Sequence, residues 1–332
     1  MKLQLPLSIL SAALLAAPSV FGQATTKPVG FQTVTLKANA FNLVGVNFLK
    51  PALVVGVLDS LSATSITDAD VNLSTALTGQ TNLVVEITSG SGAGLWANVT
   101  SVATNQLTVD SDLTATVSGG ASYQVFSLPT LADIFGASNS SGIKAGNAAS
   151  ADIIWLSTGN GSGTFDKYYY ATATFPFTAG WKNVNTGNTN AANTPVYHHE
   201  AMLIQRREVT DLALTFSGAV KTSPTTIPIF TGYNYVERSF PALATLGNCG
   251  LSAFLTHGNA ASADIVWLPN SSGAYDKYFY ATATFPFTAG WKNVNTGNTD
   301  ASSTALTTGF IIQRRGGNTN LKLTPDAAYS SL

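Results

Sequence analysis

The chain is poor in charge. Lys, Arg, Asp and Glu make up 10% of its 332 residues, where roughly 25% is usual for a globular protein, and the net charge is −1. Such a surface offers no basic patch to a nucleic-acid backbone or an anionic lipid, which disfavours both as partners. It also puts little repulsion between two copies of the chain. Cysteine is nearly absent, and the single Cys249 leaves no internal disulfide to form. Histidine is scarce at three residues. No Ser-His-Asp or Cys-His set can be assembled, so no catalytic residue, no cofactor and no enzyme activity is expected. Long apolar runs are missing after the N-terminus, which leaves no transmembrane segment in the mature chain.

What is present begins with an export signal. Lys2 supplies a positive start, Leu3 to Ala17 an apolar stretch, and Val20 to Ala24 small residues suited to cleavage. The expectation is a signal peptide over residues 1–22 and a secreted, extracellular or cell-surface location in a bacterium.

The dominant feature is an internal repeat. Tyr170 through Thr189 recurs letter for letter as Tyr280 through Thr299. Gly146 to Leu156 is matched by Gly258 to Leu268, and Ile204 to Arg207 by Ile312 to Arg315. Duplicated blocks that keep their core and vary their turns have this form. Cys249 aligns with Ala137, which marks a small packing position.

Alternation of apolar and polar residues sets the fold class. Phe31, Thr33, Thr35 and Lys37 share one face of an extended segment, with Gln32, Val34 and Leu36 on the other. Similar runs at Asp211 to Phe216 and Asn320 to Thr324 give three strands of this type for two units, which implies one without an intramolecular partner. Phe41 to Phe48 corresponds to Tyr233 to Phe240, but only the earlier copy is followed by a detour of short Val-rich runs between Gly, Ser and Asn turns. That pattern is typical of a small antiparallel barrel. The expectation is an all-β protein of two tandem antiparallel β-sandwich-like units with a β-barrel-like module inserted in the first. Unit 1 covers 23–51 and 123–209, the insert 52–122, and unit 2 with a C-terminal strand 210–332.

Several constellations resemble sites and are better read as structure. Asp152 and Asp166 have counterparts in Asp264 and Asp276, but a glycosidase would need such a pair to flank one bond. A carboxylate pairing with Arg206 or Arg207 is the plainer role. His198-His199-Glu200 has no equivalent in the second unit and does not surround a metal ion. The run from Asp68 to Asn72 lacks the glycine and glutamate of a calcium loop. Gly90 to Gly94 lacks a phosphate-binding Lys and reads as a hairpin connection.

Phe41 to Val46, Ala151 to Leu156, Tyr168 to Tyr170 and Gly180-Trp181, in this order behind a signal peptide, resemble a family of uncharacterised exported bacterial β-rich repeat proteins. The resemblance implies export and a β-rich fold and carries no activity or site. Glu86 to Gly94, with Val99 and Leu107 to Val109, is similar to short hairpin modules of phage and surface-assembly proteins.

The function expected from these features is structural: a protein that polymerises with itself into a surface layer or filament by strand exchange. The candidate assembly strands are marked by Phe31, Val34 and Leu36 and by Leu321 and Leu323. The alternative is a polysaccharide-binding or adhesive protein, with Trp181 and Asn183 and their copies Trp291 and Asn293 as ligand platforms, against the plainer role of such tryptophans as sheet-capping aromatics of the core.

Overall fold

A computed structural model describes residues 28–174, 178–238, 244–284, 288–306 and 309–325. The expected signal segment, residues 1–22, lies outside the described residues. The chain is all-β, built of antiparallel strands. It opens with β1 (Val29–Leu36), β2 (Phe41–Gly45) and β3 (Phe48–Leu49). Asn39, at φ 50, turns the chain between β1 and β2. The Asn42 side chain holds that turn by accepting from the Lys37 amide at 2.7 Å.

The insert follows as β4 (Val54–Val57), β5 (Ser60–Ser62), β6 (Ser65–Thr67), α1 (Leu73–Ala76), β7 (Leu83–Ile87), β8 (Trp96–Val102), β9 (Gln106–Val109) and β10 (Ser122–Ser127). Its seven strands form one sheet in the order β4-β10-β7-β8-β9-β6-β5. A register shift between Val99 and Ser101 interrupts the β8–β9 pairing, the kind of irregularity that bends a strand. The sheet closes on its own core, with Ile66, Leu73, Ile87, Leu107 and Tyr123 buried. Because β10 pairs with both β4 and β7, the module extends to Ser127, beyond the expected limit at 122.

Unit 1 resumes with α2 (Leu131–Phe135), β11 (Ile153–Ser157), β12 (Phe165–Ala171), β13 (Gly180–Asn183), β14 (Thr189–Asn190), β15 (Ala201–Gln205) and β16 (Leu212–Val220). The main sheet runs β14-β13-β12-β11-β15-β2, and a smaller one runs β1-β16-β3. One core lies between them. Val44, Ile154, Met202 and Trp181 from the first meet Leu36, Phe48, Leu214 and Phe216 from the second. Thr130 caps α2 in a reciprocal box with Asp133. The Trp181 indole donates to the Gly136 carbonyl at 3.0 Å where that helix ends.

Unit 2 contains β17 (Thr225–Ile229), β18 (Gly232–Val236), β19 (Ala244–Thr245), β20 (Ile265–Pro269), β21 (Tyr275–Ala281), β22 (Gly290–Asn293), β23 (Thr299–Asp300), β24 (Ala305–Leu306), β25 (Phe310–Arg314) and β26 (Thr319–Leu323). Its main sheet, β18-β25-β20-β21-β22-β23, repeats the connectivity of the first. The register repeats as well: Phe41 faces Gln205 and Tyr233 faces Gln313. Gln32 faces Phe216 where Thr225 faces Leu323. Each unit therefore owns a terminal strand pair, β1 with β16 and β17 with β26.

This pairing corrects two expectations. Among the described residues there are four such strands, two per unit, and each has an intramolecular partner. The unit boundary also falls between Val220 and Thr225, not at 209/210, since β16 pairs with β1. Thr225 to Ile229 escapes a reading for strands because Pro228 sits inside it, and proline normally argues against a ladder strand. The strand tolerates it in a two-stranded sheet.

The units meet through the outer faces of their main sheets, where Leu43, Ala201 and Leu203 pack with Ile311, Tyr235, Trp267 and Tyr275. The Phe165 and Tyr235 rings lie 4.8 Å apart across this seam. The insert grips the connection between units. Lys221 forms a buried ion pair with Glu86, and the Trp96 indole donates to the Thr226 carbonyl at 2.9 Å.

Candidate assembly edges

In β1 the sequence Val-Gly-Phe-Gln-Thr-Val-Thr-Leu places β-branched and aromatic residues where a pleated strand accommodates them. Gln32, Val34 and Leu36 turn inward, and Leu36 is fully buried in the unit 1 core. Gly30 passes under the Phe48 ring, leaving no room for a Cβ. The other face carries Val29 and Phe31, exposed at 76% and 78%. Thr33 and Thr35 continue it, and the Thr33 hydroxyl bonds that of Thr215 at 2.9 Å.

Among the described residues only one side of β1 is paired, since it ends the order β1-β16-β3. Edge strands are normally guarded by a lysine, a proline or a bulge. None occurs between Val29 and Leu36, and the pairing with β16 runs without a shift. Lys37, directly after the strand, is neutralised by Asp211 at 2.9 Å. β4 is a second apolar edge, in the insert, with Val55 and Val57 exposed at 62% and 53%.

The other expected positions lie elsewhere. Leu321 and Leu323 on β26 are buried in the unit 2 core. Trp181 and Trp291 are 0% and 1% exposed. Each packs edge-on against a tyrosine, Tyr170 at 5.5 Å and Tyr280 at 5.7 Å. Neither indole presents a face to a sugar, and this corrects the platform expectation: the large rings fill the cores instead. Asn183 and Asn293 turn their side-chain oxygens to the Asn185 and Asn295 amides, both at 2.8 Å.

Asp152 and Asp264 are fully buried. Asp152 accepts from Arg206 at 2.8 Å and from the Lys144 and Arg207 amides at 2.8 and 2.7 Å. Asp264 repeats this with Arg314, Thr256 and Arg315. The Arg207 guanidinium donates to the carbonyls of Ala148 and Ala151. The shared Asp and Arg-Arg motifs thus tie the loop before β11 and β20 to the strand that closes each unit's main sheet. Asp166 faces Leu156 on the neighbouring strand, apart from this enclosed carboxylate.

His198 and His199 are buried beside the insert, with His199 against the Trp96 ring at 4.7 Å and His198 edge-on to Phe126 at 5.8 Å. Burial, with Lys221 nearby, lowers the His198 pKa to about 3, and burial raises that of Glu200 to about 7. Among the described residues no group of three or more His, Cys, Asp and Glu side chains is arranged to hold a metal ion. Asp68 accepts from the Tyr123 hydroxyl at 2.7 Å, and Asn72 caps α1, which is turn and capping chemistry.

No family profile, curated protein or solved structure matches this chain.

Proposed function

We propose that this is an exported, non-enzymatic structural protein that assembles with copies of itself into a cell-surface layer or extracellular filament. One observation carries the reading: β1 is an uncharged edge of eight residues with Val29 and Phe31 in solvent. An edge of this kind offers backbone donors and acceptors to another strand, and its alternating side chains set the register. Low overall charge opposes association only weakly. Edge addition is favoured over exchange of β1, because exchange first breaks the whole ladder from Val29 to Leu36 with β16.

The test is negative-stain electron microscopy with light scattering on the mature chain, starting near Gln23, over a concentration series. Regular filaments or sheets that grow with concentration are expected. A monomer at every concentration would overturn the proposal.

A further inference from the structure

The second edge of the same terminal sheet is also open. β3 pairs with β16 only at Ala219 and Val220, so the flank of β16 from Leu212 to Gly218 has no strand partner among the described residues. A groove of about 240 Å³ runs beside it, between Thr215 to Gly218 and a wall that includes Val46, Phe48, Pro51, Pro129 and Ile134. Among the described residues the only charges lining the groove, Lys50 and Asp133, are joined at 2.8 Å. We propose that this groove receives β1 of a second copy, whose free edge pairs with β16 and continues the sheet from one molecule to the next.

The inference rests on the self-assembly reading and specifies its contact. The occupant is selected by charge and shape. A groove of mixed lining and no net charge beside an open strand edge accepts an extended segment by backbone pairing, and a charged segment would bring a charge there that the joined Lys50 and Asp133 leave without a partner. β1 has the required neutrality over its whole length. In a continued sheet its Val29 and Phe31 lie on the same face as Thr215 and Ser217 of the receiving strand. Donor and acceptor edges are opposite sides of one ribbon, so the contact is head-to-tail. Such a contact leaves a free edge at each end of any oligomer and propagates unless it closes into a ring.

Phe31→Lys and Thr215→Lys test this, because both positions are exposed and a lysine at an edge opposes pairing. Each variant alone should stay monomeric at concentrations about tenfold above those at which the wild type assembles. Their circular dichroism and melting should match the wild type. An equimolar mixture should give heterodimers by analytical ultracentrifugation, as the intact donor of one variant meets the intact acceptor of the other. If the wild type assembles but either variant does so equally well, the β1-to-β16 contact is wrong and self-assembly stands through another edge such as β4. A mixture that remains monomeric, like each variant alone, also overturns the contact, since the intact donor and acceptor then fail to pair. Dimers from Thr215→Lys alone would overturn it in favour of β1 pairing with itself. A monomeric wild type removes both readings.

Discussion

Glu237 of unit 2 lays its carboxyl over Gly45 of unit 1, in the space a Cβ would occupy at that glycine. Its backbone amide donates to the His199 carbonyl at 2.9 Å, so both its side chain and its backbone engage unit 1. Burial, partly opposed by Arg238, raises the Glu237 pKa to about 8. The two units are thus joined over an acid that is neutral at neutral pH.

Stability should fall between pH 6.5 and 8. The raised carboxyls of Glu237 and Glu200, about 8 and about 7 against an ordinary 4.5, bind protons more tightly when folded. Their contribution is complete below pH 4.5 and is lost as pH rises through the folded values. His198 and His199 act in the opposite sense, since burial depresses both from 6.5 and their contribution is lost as pH falls below that value. The effects offset each other between about 4.5 and 6.5, leaving a plateau there; above it the acids dominate, while burial lowers the Lys221 pKa and acts against them on the alkaline side. The unfolding free energy from urea titrations should drop from pH 6.5 to 8 by on the order of 2 kcal/mol, and Glu237→Gln should remove about two thirds of the drop. A midpoint that rises across this range would contradict the assignment.

Gly45→Ala should destabilise the protein by about 1–3 kcal/mol, since the new methyl must displace the buried Glu237 side chain. Gly317→Ala is the control: nothing lies within 4 Å of a Cβ there, and its effect should stay within about 0.5 kcal/mol. Thermal melts of both variants decide the matter.

Lys221→Met should cost about 3–5 kcal/mol, because it leaves the Glu86 carboxylate buried without its cation. Ser223 and Gln124 still donate to Glu86, at 2.8 and 3.1 Å, and hold the loss below that of a bare charge. Replacing both partners, as Glu86→Leu with Lys221→Met, should recover most of the stability in a double-mutant cycle.

The repeat, the β class and the inserted module were legible because each rests on local pattern. Identity between Tyr170 to Thr189 and Tyr280 to Thr299 marks the units, and Val-rich runs between glycine turns mark the insert. The terminal ribbon was half legible: the alternation from Phe31 to Lys37 gives a strand but not its partner, which lies far away at Leu212 to Val220. Pro228 concealed the strand that completes the symmetry. Trp181 could be read as core or as platform, because sequence alone does not distinguish a buried ring from an exposed one. The Glu237 and Gly45 contact left no signal, since it depends on how two sheets meet.

Asp152 and Asp264 each accept from one guanidinium and two backbone amides, so either Asp→Ala change leaves a cation and two donors unsatisfied. The cost should be about 3–5 kcal/mol where the arginine is fully enclosed. Arg206 is 4% exposed and Arg314 11%, so water reaches Arg314 more readily and Asp264→Ala should be the milder change. Chemical unfolding followed by tryptophan fluorescence reads both. Because the seam and the insert hold the units together, either variant should shift one shared transition. Two separated transitions, with only the mutated unit weakened, would mean that the packing of Leu43, Ala201 and Leu203 against unit 2 contributes little to cooperativity.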